Sequence, residues 1–180
     1  MDTVIVGGGL AGSTLAILLA RAGRRVTVLE KVRFPRDKLC GEFLSPEAEL
    51  TFERLGVMAQ VRALAPPALS EGWFTEARGR SARVPLPGAG LGVRRLVLDA
   101  ILKEAAIGAG ARWFEGEATG ARWNARGSIE VEARVGGSTE VFEAEYAIGA
   151  YGRHGRLDRA LGRARSDGRY VGIKQHHIAA

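Results

Sequence analysis

An α/β fold is predicted by three observations on the sequence. The first is a strand, glycine turn, helix and second strand packed into the first thirty residues. The second is an amphipathic helix over residues 94–109, and the third is a run of alternating strands between residues 117 and 144. Together they describe a Rossmann-like domain with a β-meander and the beginning of an inserted β-sheet.

Asp2 to Val6 read as a short buried strand, because Val4, Ile5 and Val6 form an apolar run that ends at glycine. Gly7-x-Gly9-x-x-Gly12 follows and opens an Ala- and Leu-rich helix over residues 10–21, stopped by Gly23. Residues 26–29 form the second strand and Glu30 ends it. Each glycine has a mechanical reason: Gly7 turns the chain, Gly9 lets a pyrophosphate approach the backbone, and Gly12 lets helix and strand pack closely. Leu10, Ala11 and Gly12 open the helix, where unpaired N–H groups and the positive dipole end favour phosphate. Glu30 stands 18 residues beyond Gly12, near the spacing expected of a carboxylate that accepts from a ribose hydroxyl. A carboxylate there repels a 2′-phosphate, which favours FAD or NAD over NADP. The segment is therefore a FAD/NAD(P)-type dinucleotide site.

Residues 31–45 form a long loop punctuated by Pro35 and Gly41, leaving the strand beside the expected ribose. Ser45 as N-cap and Pro46 at the first helical position open a helix running to about Leu55, and a second helical stretch covers residues 57–64. Residues 71–87 carry a β pattern turned at Gly79, and residues 88–92 read as a flexible connection. In the helix over 94–109, Leu98, Ile101, Leu102, Ala105 and Ala106 share a face. Residues 111–114 read as a third strand parallel to the first two. Residues 117–123, 128–135 and 139–144 then form a meander lying across the nucleotide sheet, with Ile129, Val131, Ala133 and Val135 at period two. Residues 146–149 return to the sheet, residues 157–161 form a short helix, and residues 170–178 one more strand. The domain division expected from this is a discontinuous cofactor domain (1–70 and 90–165) and a partial substrate-facing sheet (71–89 and 166–180).

Composition narrows the function classes. A chain of 180 residues at 46% hydrophobic content suits one domain, or one domain plus part of another. No apolar run is long enough to span a membrane, and the first strand begins without a leader, so a cytoplasmic protein is expected. The chain remains compatible with peripheral membrane contact. The single cysteine, Cys40, excludes an internal disulfide and offers no zinc spacing, so no metal is expected. Of the net charge of +6, residues 151–180 carry +5, without interleaved aromatics. That pattern describes a solvated basic face, or one meeting acidic protein, rather than a nucleic-acid groove. His176 and His177 are adjacent on an expected strand and so point to opposite faces, with no carboxylate partner evident. No catalytic residue is identified.

On Gly7 to Glu30, Phe34-Pro35-Arg36-Asp37-Lys38-Leu39-Cys40-Gly41-Glu42, Arg94-Arg95-Leu96-Val97-Leu98-Asp99 and Ala147-Ile148-Gly149-Ala150-Tyr151-Gly152-Arg153, the whole chain resembles one flavoprotein group. These are the FAD-dependent oxidoreductases of the geranylgeranyl-reductase-like group, relatives of aromatic-ring hydroxylases and flavin halogenases. The resemblance implies FAD as cofactor, with NAD(P)H as candidate reductant and an apolar or aromatic small molecule as substrate. It implies that Glu30 binds the ribose, that Ala11 and Gly12 line the pyrophosphate, and that Arg95 reaches the phosphates. Cys40 and Gly41 would lie near the flavin and Ala118 would meet the adenine side through its backbone. Gly7, Gly9, Leu10, Lys31 and Arg36 complete the implied cofactor-binding set. Cys40 reads equally well as a small packing residue, Arg95 as a solvated first-turn arginine, and Asp99 as its structural partner at i,i+4.

Two departures stand out. Relatives carry an acid where this chain has Tyr151, and a small hydroxyl residue near Gly155. They also run to roughly twice this length, with a later Gly-Asp segment on the flavin, so the chain is expected to be an N-terminal half. The expected function is the FAD-binding part of a flavoprotein oxidoreductase, acting on an alkene or lipid-like substrate as a reductase or as a monooxygenase. The alternatives are a non-catalytic nucleotide-binding fragment, self-associating through an open sheet edge, and an NAD-dependent dehydrogenase.

Overall fold

The computed structural model describes residues 2–152, 157–163 and 172–176, leaving out the side chain of residue 159. Its elements in order are β1 (Asp2–Val6), α1 (Leu10–Arg21), β2 (Arg25–Glu30), β3 (Phe43–Leu44), α2 (Pro46–Arg54), α3 (Met58–Ala63), β4 (Ala68–Thr75) and β5 (Ser81–Gly92). There follow α4 (Arg95–Gly108), β6 (Arg112–Trp123), β7 (Ile129–Val135), β8 (Ser138–Ala144), β9 (Tyr146–Gly149) and α5 (Leu157–Ala160). They divide into two compact units: the described residues of 1–36 and 99–171, and those of 37–98 and 172–180.

The first unit is built on a six-stranded sheet of order β8-β7-β6-β2-β1-β9. β9, β1, β2 and the start of β6 are parallel, with Val6 opposite both Leu29 and Gly149. From Gly116 onward β6 pairs antiparallel with β7, and β7 with β8. The third strand and the first meander strand, expected as two elements, are thus one twelve-residue strand. Nothing at Glu115 or Gly116 breaks the extended backbone, so the partner changes while the strand continues. The meander nonetheless lies over one face of the parallel strands, because alternation places Val4, Val6 and Leu29 in one buried cluster with Ala118, Val131, Ala133 and Ala144. Ile5 and Val28, of opposite parity, are fully buried on the other face, as are Ile17 of α1 and Leu102 of α4. Each such aliphatic side chain contributes about 1.5–3 kcal/mol on burial.

The second unit holds a three-stranded sheet of order β3-β5-β4. The stretch expected as a flexible connection at residues 88–92 is instead the end of β5, where Leu91 and Gly92 pair with Leu44 and Phe43. Those partners are remote in sequence, which is why a glycine-rich stretch read locally as a connection. Phe52 of α2, Met58 and Val61 of α3, and Leu55 between the two helices supply buried side chains. Ser45 occupies the N-cap position with Pro46 following, though its side chain makes no capping hydrogen bond. Of the strand expected over 170–178, residues 172–176 are not a strand, and the rest lie outside the described residues, as do His154 and His177. Among the described residues no helix is long and apolar enough to cross a membrane.

Candidate functional site

The turn after β1 is closed on its own backbone. Gly7 adopts φ +106°, and a Cβ there would lie 2.5 Å from the carbonyl oxygen of Ala150. A Cβ on Gly12 would lie 1.8 Å from the carbonyl oxygen of Gly7, so neither position accepts a side chain. The Gly7 amide donates to Leu29 O at 2.8 Å and the Ser13 hydroxyl donates to Gly8 O at 2.9 Å, fixing the turn from both sides. The first intrahelical bond of α1 runs from Ser13 N–H to Gly9 O. The N–H groups of Leu10, Ala11 and Gly12 therefore precede the helical ladder and form a cradle for an anion. An FAD diphosphate fits that donor set.

Glu30 ends β2 buried, 5% exposed. Its Oε2 accepts from Gly8 N–H at 2.8 Å and its Oε1 from Val32 N–H at 3.0 Å. The carboxylate thus ties the second strand to the glycine turn, and its remaining acceptor capacity is available to a hydroxyl. Arg36 Nη2 lies 3.4 Å from the same Oε2 and 3.7 Å from Oδ2 of fully buried Asp99. Its guanidinium also stacks over Phe34 at 4.9 Å, while its buried Nε has no hydrogen-bond partner. That orphaned donor is a second feature suited to a polar ligand. Asp99 also faces Arg36, because the loop after β2 brings that cation to it.

Beside this carboxylate opens a small cleft of about 40 Å³, lined by Val6, Gly7, Leu29, Glu30, Lys31, Gly116, Glu117, Ala118, Tyr151 and Leu157. Apolar walls with a few polar groups at the edge are the usual makeup of a small-molecule site. Of the residues singled out in the sequence, Gly7, Gly9, Leu10, Ala11, Gly12, Glu30, Lys31, Arg36 and Ala118 fall in this first unit. Gly7, Glu30, Lys31 and Ala118 line the cleft directly.

Cys40, Gly41 and Arg95 belong to the second unit. Arg95 is buried, 8% exposed, which overturns its reading as a solvated first-turn arginine. Its backbone N–H donates to Glu42 Oε1 at 3.2 Å. Glu42 also receives Lys174 Nζ at 3.0 Å and faces His176 Nε2 at 2.8 Å. His176 therefore has a carboxylate partner, one that no spacing could show across 134 residues. Burial pushes the Glu42 carboxyl upward, but hydrogen bonds from Lys174, His176 and the Arg95 backbone outweigh it and hold the group below its ordinary range. Cys40 is half-buried, and its Sγ accepts from Glu42 N–H at 3.4 Å. Two residues escaped the sequence reading, Glu42 as a hub and Tyr151 as a cleft wall. The only sequence signal was the departure at Tyr151.

Residues 1–174 match the family model described as FAD binding domain. The menaquinone reductase of Mycobacterium tuberculosis is 35% identical over 167 residues, covering 90% of this chain and 40% of the relative. The 1H-pyrrole-2-carbonyl-[peptidyl-carrier protein] chlorinase of Pseudomonas fluorescens is 30% identical, covering 92% of this chain and 42% of the relative. Among solved structures, the myxobacterial chondrochloren halogenase, an FAD-dependent halogenase, superposes with a TM-score of 0.79 at 25% identity, covering 88% of this chain and 39% of that one. The chain spans about two fifths of the length of these relatives.

Proposed function

This chain belongs to the FAD binding domain family, and from that premise we propose that it is the cofactor-holding part of a flavoprotein reductase of the geranylgeranyl-reductase-like group. One observation carries the reading: buried Glu30 accepts from Gly8 N–H and ties the glycine turn to the mouth of the adjoining cleft. Leu10, Ala11 and Gly12 hold the diphosphate through their N–H groups, and Glu30 accepts from a ribose hydroxyl. Lys31 and Ala118 border the adenosine end, Arg36 orients Glu30, Arg95 reaches the phosphates, and Cys40 and Gly41 lie near the flavin.

FAD, when bound, supplies hydride transfer to a substrate double bond or activation of O2. Reduction of a lipid-like alkene, with NAD(P)H as electron source in the cytoplasm, is the favoured chemistry. The support is the 35% identity to a relative named as a reductase, against 30% to a chlorinase. The sheet of β3, β4 and β5 begins the substrate-facing part, whose remaining walls we assign to sequence beyond this chain. Titrating the purified chain with FAD, by flavin absorbance and fluorescence quenching, tests the cofactor role. Stoichiometric binding that E30Q weakens about tenfold is expected, and a folded chain without flavin affinity would overturn the proposal.

A further inference from the structure

We propose that Tyr151 is a specificity-determining residue whose ring forms an aromatic wall for the purine base of the nucleotide, an inference that rests on the FAD-binding reading above. Tyr151 follows β9 and lines the same cleft as Glu30, Lys31 and Ala118. Its ring packs on the cluster of Val6, Leu29, Ala118 and Leu157. It also folds back over Gly149, where a Cβ would stand 2.7 Å from the ring. Gly149 is thus the residue that gives the ring its place.

The far end of the ring is clamped. Its hydroxyl donates to Asp158 Oδ1 at 2.7 Å, and Asp158 in turn lies 3.7 Å from Arg163 Nη1. Burial, reinforced by the Asp158 hydrogen bond and charge, pushes the phenol above its ordinary range and keeps it a neutral donor. A ring fixed at both ends loses little freedom on stacking. The remaining lining is apolar at its buried floor, with Val6, Leu29, Ala118 and Leu157, and polar at its rim, with Lys31 and Glu117. A carboxylate at this position could hydrogen-bond but could not stack.

The test titrates the chain with FAD, ADP and UDP, the last sharing ribose and diphosphate but carrying a smaller base. The native chain is expected to prefer ADP to UDP. Y151A should weaken FAD and ADP about tenfold, within the range of a base–aromatic stack, while UDP changes less than threefold. Y151L keeps packing bulk without an aromatic face and should behave as Y151A, which separates stacking from folding. Y151F should retain native affinity within about threefold, and D158N should match it. Equal loss for ADP and UDP, or no loss in Y151L, overturns the wall. A chain that binds ADP with these preferences but not FAD defeats the flavin reading alone, and one that binds neither defeats both.

Discussion

The two units handle their polar and apolar groups differently. In the first, several polar groups close on partners within the unit: Glu30 on Gly8 and Val32, Ser13 on Gly8, Tyr151 on Asp158. In the second, Trp73 and Phe74 of β4 are 63% and 68% exposed. These hairpin aromatics stay open to solvent, whereas a turn closed on its own carbonyls is finished before any ligand arrives. The first unit is preorganised for a cofactor. The second gathers Lys174, His176 and the Arg95 N–H on the Glu42 carboxylate.

The sharpest way to break the first unit is G12V, which drives a side chain into the Gly7 carbonyl. About 4 kcal/mol of stability should be lost, with all FAD binding, in thermal melts and flavin titrations. R36A comes next. It removes the cation between Glu30 and Asp99, whose separations of 3.4 and 3.7 Å make the pairing weaker than a tight buried bridge. A loss of about 2 kcal/mol is expected, with FAD affinity falling more than the melting temperature alone would explain.

E42Q addresses the second unit. Because the folded Glu42 carboxyl sits below its ordinary 4.5, its contribution is complete above that value and disappears as pH falls through the lower folded one. Acid should therefore loosen residues 172–176, seen as faster hydrogen exchange in 37–42, with about 1 kcal/mol at stake. E42Q should remove that pH dependence. Least of all, a W73S/F74S double variant should shift stability by less than about 0.5 kcal/mol while reducing self-association in sedimentation. A large destabilisation would show that β4 is part of a core rather than an open surface.

The glycine turn, Glu30, α1 and the long helix were legible because each rests on short-range rules of spacing, glycine sterics and period. The end of β5 was not, since its pairing to Phe43 and Leu44 joins segments almost fifty residues apart. Nor was the continuous β6, because period two looks the same whichever partner a strand takes. The Glu42–His176 contact failed for the same reason, at a separation of 134 residues.

By itself, then, the sequence determined the β1–α1–β2 unit, its dinucleotide-type glycine turn and the alternation that buries Val4, Val6 and Val131 together. Tertiary structure alone decided that Arg36 sits between Glu30 and Asp99, that Glu42 collects Lys174 and His176, and that Tyr151 lines the cleft beside Glu30. The physical reason is range. Backbone sterics and periodicity act over a few residues, whereas a charge finds its partner only after the fold has brought distant segments within hydrogen-bonding distance.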